Sequence, residues 1–176
     1  MNQRIVWFER IFKLDLPLAM YSNVVERVRG TPARLEDRLS AMPREILTRR
    51  DGDNWSMQEQ AGHLLDLGAL DLGRLDDYAD GLPTLRPADL GNRKTHEADH
   101  NANSVENILA EFRRERSEFV RRLEEFDAEF IARTALHPRL QLPMRVIDFA
   151  YFIAEHDDHH LARISELFRA SVFPLG

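Results

Sequence analysis

A four-helix bundle of the all-α class is the fold this sequence predicts, and three observations carry the prediction. Four long segments repeat apolar residues at steps of three and four, no strand-like run exceeds a few residues, and the connecting stretches are unequal in length. One of them, residues 82–103, is long enough to cross from one end of a bundle to the other. The 176 residues suit one domain, read over 1–176, with residues 1–22 as an N-terminal helical arm.

The elements follow in order. Ile5 to Tyr21 is rich in aromatics (Trp7, Phe8, Phe12) and broken by Pro17, which reads as a short helix or an arm packed on the main body. From Asn23 to Leu47 helical periodicity runs through Val24, Val28, Leu35, Leu39, Met42 and Ile46, with an interruption at Gly30-Thr-Pro32. Thr31 before Pro32 is expected to be an N-cap opening the main first helix. Ser56 with Glu59 three residues later is a capping box that opens the second helix, which runs to about Tyr78 and is closed by Gly81. Prolines, Gly91 and several asparagines mark Leu82 to Asn103 as a loop. Ser104 opens a third helix ending near Glu129. Pro138 and Pro143 bracket a loop with a short extended piece, Leu140 to Leu142, before a fourth helix from about Met144 to Ala170.

Histidines interrupt the apolar stripes at two places. On the fourth helix His156 and His160 lie four residues apart in line with Phe149, Ile153, Ile164 and Leu167, so both imidazoles point the same way. Two buried neutral rings at that spacing are costly unless one shared partner satisfies them, and a metal ion does so. His63 falls on the apolar side of the second helix with Leu67 and Leu70. Taken singly it reads more readily as a hydrogen-bonded core residue. With His156 and His160 it makes a three-nitrogen set that leaves a coordination position open. Without cysteine there is no thiolate ligand, disulfide or cysteine nucleophile. Nitrogen donors suit Zn²⁺ or Ni²⁺, and Fe²⁺ or Mn²⁺ if water or a carboxylate completes the shell.

Other polar residues have plainer readings beside a functional one. Asp157, Glu155 and Asp66 either orient a ligand histidine or are solvated, and solvent is favoured for each. His159 points about 100° from His160 and is read as a surface or supporting residue. His96-Glu-Ala-Asp-His100 spells H-E-x-x-H, but polar flanks and the lack of an apolar stripe make it a solvated loop rather than a zincin helix. His100 or Asn103 reaches the main site only if the loop folds over it. His137-Pro138 reads as a turn.

The formal charge of −6 and the interleaving of arginines with acids argue against nucleic acid as a partner. No apolar run approaches the length of a membrane span and no signal peptide is evident, so a cytoplasmic protein is expected.

The motif Trp55-Ser-x-x-Glu-x-x-Gly-His63-Leu, paired with Glu155-His-Asp-x-His-His-Leu-Ala-x-Ile164, resembles the DinB/YfiT-like superfamily, in particular its DinB_2 branch, over about Val25 to Phe168. The resemblance implies a four-helix bundle, often homodimeric, with a divalent metal held by His63, His156 and His160. It also implies a small-molecule substrate, since the family includes bacillithiol- and mycothiol-dependent S-transferases and maleylpyruvate isomerase. The function expected is a metal-dependent thiol S-transferase acting on a low-molecular-weight thiol; the alternatives are a metal-dependent hydrolase and a non-enzymatic metal-binding module for stress response or dimerisation. Either enzyme needs a base, for which Asp157, Asp66 and His100 are the candidates. The visible ligands number three where structural zinc sites close with four, which favours an enzyme. A fourth state, with the metal lost and the histidines only hydrogen-bonded, stays open.

Overall fold

Where the apolar stripe of each long segment breaks, it breaks at one common level, and that shared polar layer organises the molecule. The computed structural model describes residues 4–172. The first of its four long segments is two helices, α1 (Tyr21–Arg29) and α2 (Thr31–Leu39), followed by a short α3 (Arg44–Leu47). The second is α4 (Met57–Asp66) and α5 (Gly68–Ala79), the third α7 (Val105–Glu124), and the fourth α9 (Val146–Val172). Between them lie α6 (Arg93–Glu97) in the crossover, α8 (Ala128–Ile131), and a hairpin of β1 (Thr134–His137) with β2 (Leu142–Arg145). The four segments pack as a bundle, α4 and α1 lying against both α7 and α9. Among the described residues no helix is long and apolar enough to cross a membrane.

One apolar cluster joins Val24, Val28, Leu75, Tyr78, Phe119, Leu123, Phe149 and Ile153. A second joins Leu35, Leu39, Leu64, Ile108, Phe112, Leu161 and Ile164. Between them each long segment contributes buried polar groups: Thr31, then His63 and Asp71, then Arg116, then Asp157 and His160. The hydroxyl of Thr31 donates to Asp157 Oδ2 at 2.7 Å, and Arg116 Nη2 donates to Asp157 Oδ1 at 2.9 Å. A buried carboxylate needs such partners, and these fix the rotation of α9 relative to the other segments.

Local signals set several boundaries. Ser56 accepts from the Glu59 N–H while the Glu59 carboxylate accepts from Ser56 N–H, the expected capping box. Gly81 has φ +67°, a left-handed turn that a side chain would strain. Ser104 caps α7 by accepting from Asn107 N–H.

Four expectations need correction. Thr31 is not an N-cap: it is the first residue of α2, and its hydroxyl is spent on Asp157. A full helix, α1, precedes it, so the first segment begins ten residues earlier than the main helix expected from Thr31. The second segment is divided at Leu67, whose N–H still bonds back to His63, and the third ends at Glu124 rather than near Glu129. Of residues 140–142 only Leu142 is extended, as the first residue of β2. Leu140 and Gln141, the latter at φ +54°, belong to the turn after His137, and the strands lie on either side, with Leu136 opposite Pro143 and His137 opposite Leu142. Four-residue strands are too short for alternation to be read in the sequence. The N-terminal arm does pack on the body: Trp7 and Phe12 are buried, each about 5 Å from the Phe152 ring.

Candidate metal centre

His156 and His160 sit on α9 one turn apart, and α4 lies against that face of α9 carrying His63. Each of the three residues offers a ring nitrogen, and these atoms lie within 4.8 Å of one another. The Nε2 atoms of His156 and His160 are 3.1 Å apart. The ring centroids of His63 lie 4.8 Å from His160 and 5.4 Å from His156.

The outer nitrogens explain why the inner ones converge. His160 Nδ1 lies 2.6 Å from Gln60 Oε1, and an amide oxygen only accepts, so the proton is on Nδ1 and the Nε2 lone pair faces inward. His63 Nδ1 lies 3.1 Å from Thr95 Oγ1 in α6. Trp55 tilts over His63 at 4.7 Å, and Trp7 sets its ring against His156 at 4.8 Å. Burial pulls His63 down to about 4, and burial together with the neighbouring imidazoles holds His156 and His160 well below the ordinary histidine value. All three are therefore neutral near pH 7, the protonation state a metal requires.

The donor set fits a divalent cation. Two Nε2 atoms at 3.1 Å must share either a proton or a cation. Nitrogens of a tetrahedral site with bonds of about 2.0–2.1 Å lie about 3.3 Å apart, so this pair already stands at that spacing.

Beside the histidines opens a cavity of about 580 Å³, lined in part by Trp7, Trp55, Leu67, Asp71, Phe152 and Ile153. Asp71 is buried on its wall, and burial lifts its carboxyl to about 7 even though Arg116 and Arg74 pull it down. That carboxyl exchanges a proton near neutral pH. The sequence reading missed it, although an acid among Leu67, Leu70, Leu72 and Leu75 is the signal that betrays it. Gln60 and Thr95 were missed as well: a glutamine three residues before His63 carries no such signal, and Thr95 arrives from the crossover.

The other candidates lie elsewhere. Asp157 is wholly buried in the polar layer with Thr31 and Arg116 and does not line the cavity. Glu155 pairs with Arg10 and Arg27. Asp66 is not solvated: burial raises its carboxyl, but hydrogen bonds led by that of His100 Nε2, at 2.8 Å, outweigh it and hold the group below its ordinary value. Neither Asp66 nor His100 lines the cavity. Of the H-E-x-x-H residues, His96 is exposed and His100 buried against α4, so the two do not converge. Gly62 makes room for His100, whose imidazole a Cβ there would strike. Asn103 holds Gln58 through its carbonyl and stays outside the cavity. His159 meets Arg4 and lines the rim. His137 is on β1, buried, and not in the turn.

A search of curated proteins found no match. Among solved structures, YfiT from Bacillus subtilis is similar at a TM-score of 0.80 and 20% identity, over 93% of this chain and 94% of that one. It is described as a probable metal-dependent hydrolase with an unusual four-helix bundle topology. The family model of the DinB superfamily (DinB_2) matches residues 27–164, a span that contains His63, His156 and His160. The chain belongs to the DinB superfamily.

Proposed function

We propose that this protein is a metal-dependent hydrolase of small molecules, its cation held by His63, His156 and His160 and its substrate taken into the adjoining cavity. The observation that carries the reading is the meeting of three neutral imidazoles at the wall of a cavity of about 580 Å³. That volume matches sites for compact organic ligands. The description of YfiT points the same way. The all-nitrogen donor set favours Zn²⁺ or Ni²⁺ over harder cations. Three ligands leave a position free, which favours catalysis over a purely structural ion.

A bound divalent cation supplies Lewis acidity, polarising a substrate oxygen and making water easier to deprotonate. The chain supplies the rest. Gln60 and Thr95 fix the rings of His160 and His63 from behind, so the donors are pre-oriented. Trp55 and Trp7 shield the site from bulk water, which strengthens every electrostatic contact inside. Asp71 accepts the proton as a water oxygen bonds to the electrophilic centre, and returns it to the leaving group as that bond breaks. A carboxyl poised at about 7 can do both near neutral pH.

A second reading keeps the site and replaces water by a low-molecular-weight thiol, giving S-transfer. A cavity of about 580 Å³ has room for a thiol beside its electrophile.

The test is a panel of esters, amides, lactones and phosphoesters, with thiol and electrophile pairs alongside, assayed with EDTA-treated protein and after reloading with Zn²⁺, Ni²⁺, Mn²⁺ or Fe²⁺. Hydrolysis that returns with metal and rises with pH around 7, with that rise abolished in Asp71→Asn, is the expected result. Hydrolysis indifferent to chelation contradicts the proposal; turnover only with thiols selects the second reading.

A further inference from the structure

We infer that the cavity carries a carboxylate-binding subsite formed by Arg139, Arg74 and the Nε2–H of His137, which selects substrates pairing one carboxylate with an apolar body. Its role beside the proposed metal site rests on the hydrolytic reading; the subsite itself does not.

Arg139 makes no ion pair among the described residues, and its Nη2 is buried without a hydrogen-bond partner. Its guanidinium is wedged among aromatic rings, 6.0 Å from Trp7, 5.2 Å from Phe8 and 5.9 Å from Phe152. The other cavity arginines near the rim are engaged: Arg4 with Glu166, Arg163 with Asp51 and Glu166. His137 is 2% exposed. Its Nδ1 accepts the Leu140 N–H at 3.2 Å, so its proton is on Nε2, and Nε2 has no partner among the described residues. A buried donor left unpaired, twice over on one cavity wall, calls for an acceptor.

His137 and Arg139 flank the same Phe152 ring, at 5.0 Å and 5.9 Å, and Arg74 lies 5.9 Å from Phe149, one turn before it on α9. Arg139 and His156 both pack on the Trp7 ring, at 6.0 Å and 4.8 Å, which sets the cluster beside the three histidines. Arg74 is 3% exposed and spends only its Nε, on the Arg86 carbonyl at 3.1 Å. All three residues line the cavity.

Charge count selects the ligand. Two guanidiniums share the interior with one buried carboxyl, Asp71, while Asp53 and Asp89 of the lining are exposed to solvent, so the interior carries one positive charge in excess. That excess suits a monoanion, whereas a dianionic phosphate would be repelled by the acids. The planar guanidinium fork matches a carboxylate. Leu67, Leu70, Phe152 and Ile153 supply apolar wall for the remainder.

Trp7 and Trp55 line the cavity, so intrinsic fluorescence reports its occupation. The probes are 4-phenylbutanoate, the neutral 4-phenylbutanol and 3-phenylpropylphosphonate, titrated into zinc-loaded and EDTA-treated full-length protein. The carboxylate should bind about tenfold or more tightly than the alcohol in both states, the worth of one charge-assisted pair. Arg139→Gln should bring the ratio near one, and Arg139→Lys should restore part of it. The preference should survive in EDTA-treated His63→Ala, which would uphold the subsite even if no metal-dependent hydrolysis were found. Equal affinity for acid and alcohol, no binding at all, tighter binding of the phosphonate, or an unchanged ratio in Arg139→Gln overturns the inference. So does a preference that needs zinc and His63 but not Arg139, an outcome that leaves the metal-dependent reading intact.

Discussion

Gln60 decides how His160 presents itself. Its amide oxygen, 2.6 Å from Nδ1, selects the tautomer whose free lone pair lies on Nε2, beside the same atom of His156. Removing that oxygen leaves the ring free to turn and its proton free to move. Gln60→Ala should weaken zinc binding by about 10–100-fold, the usual effect of losing a group that orients a ligand, as read by competition with a chromogenic chelator. Helical circular dichroism should stay unchanged. Asp71 plays a different part, since it touches none of the three imidazoles by hydrogen bond and its value lies in a carboxyl held near 7 by burial. Asp71→Asn should therefore retain zinc while losing turnover, a separation that Gln60→Ala does not give.

At the scale of elements, the polar layer explains why α9 holds its rotation. Arg116 and Asp157 are both almost wholly buried, and each is the other's partner. Breaking such a pair from one side strands a charge, so Arg116→Ala should cost about 3–5 kcal/mol in urea-induced unfolding. Arg116→Met combined with Asp157→Leu should recover only part of that loss, because Arg116 Nη1 also stands 3.8 Å from Oδ2 of the buried Asp71, which loses its countercharge. At the start of α4, Ser56 accepts from Glu59 N–H and donates to Asn101 in the crossover at 2.8 Å. Ser56→Ala should cost about 1 kcal/mol, and hydrogen exchange should quicken both in the first turn of α4 and around residues 100–103.

For the whole molecule, buried neutral histidines tie stability to pH. His137 titrates at about 3 in the fold and at about 6.5 when unfolded, so the unfolded chain binds more protons between those values. Its contribution is intact above about 6.5 and is lost as pH falls towards 3. His63 adds the same sign, while Asp71 and Asp157, raised by burial, oppose it. The His137→Asn comparison isolates one group: in metal-free protein its destabilisation relative to the parent should shrink steadily from pH 7 to pH 4.5.

What the sequence made legible at this scale was whatever local periodicity encodes. The stripe through His156 and His160, the Ser56 capping box and the length of the crossover all rest on neighbours within a turn or two. What it hid depends on contacts distant in sequence. Thr31 looked like a cap because only the fold brings Asp157 to it, 126 residues away. His137 looked like a turn residue because the hairpin of β1 and β2 is too short to show a period. Asp157, Asp66 and His100 looked like bases because nothing local reveals that one is locked to Thr31 and Arg116 and the other two to each other.

The proposed function stands on three imidazoles from two helices, whose nitrogens lie within 4.8 Å of one another, holding one cation. Its most direct test is metal content of tag-free protein after equilibration with zinc and gel filtration, measured by plasma mass spectrometry for the parent, His63→Ala, His160→Ala and His96→Ala. One zinc per chain in the parent and in His96→Ala, with near zero in the other two, is the result expected. Full occupancy retained in His63→Ala, or none in the parent, would contradict it.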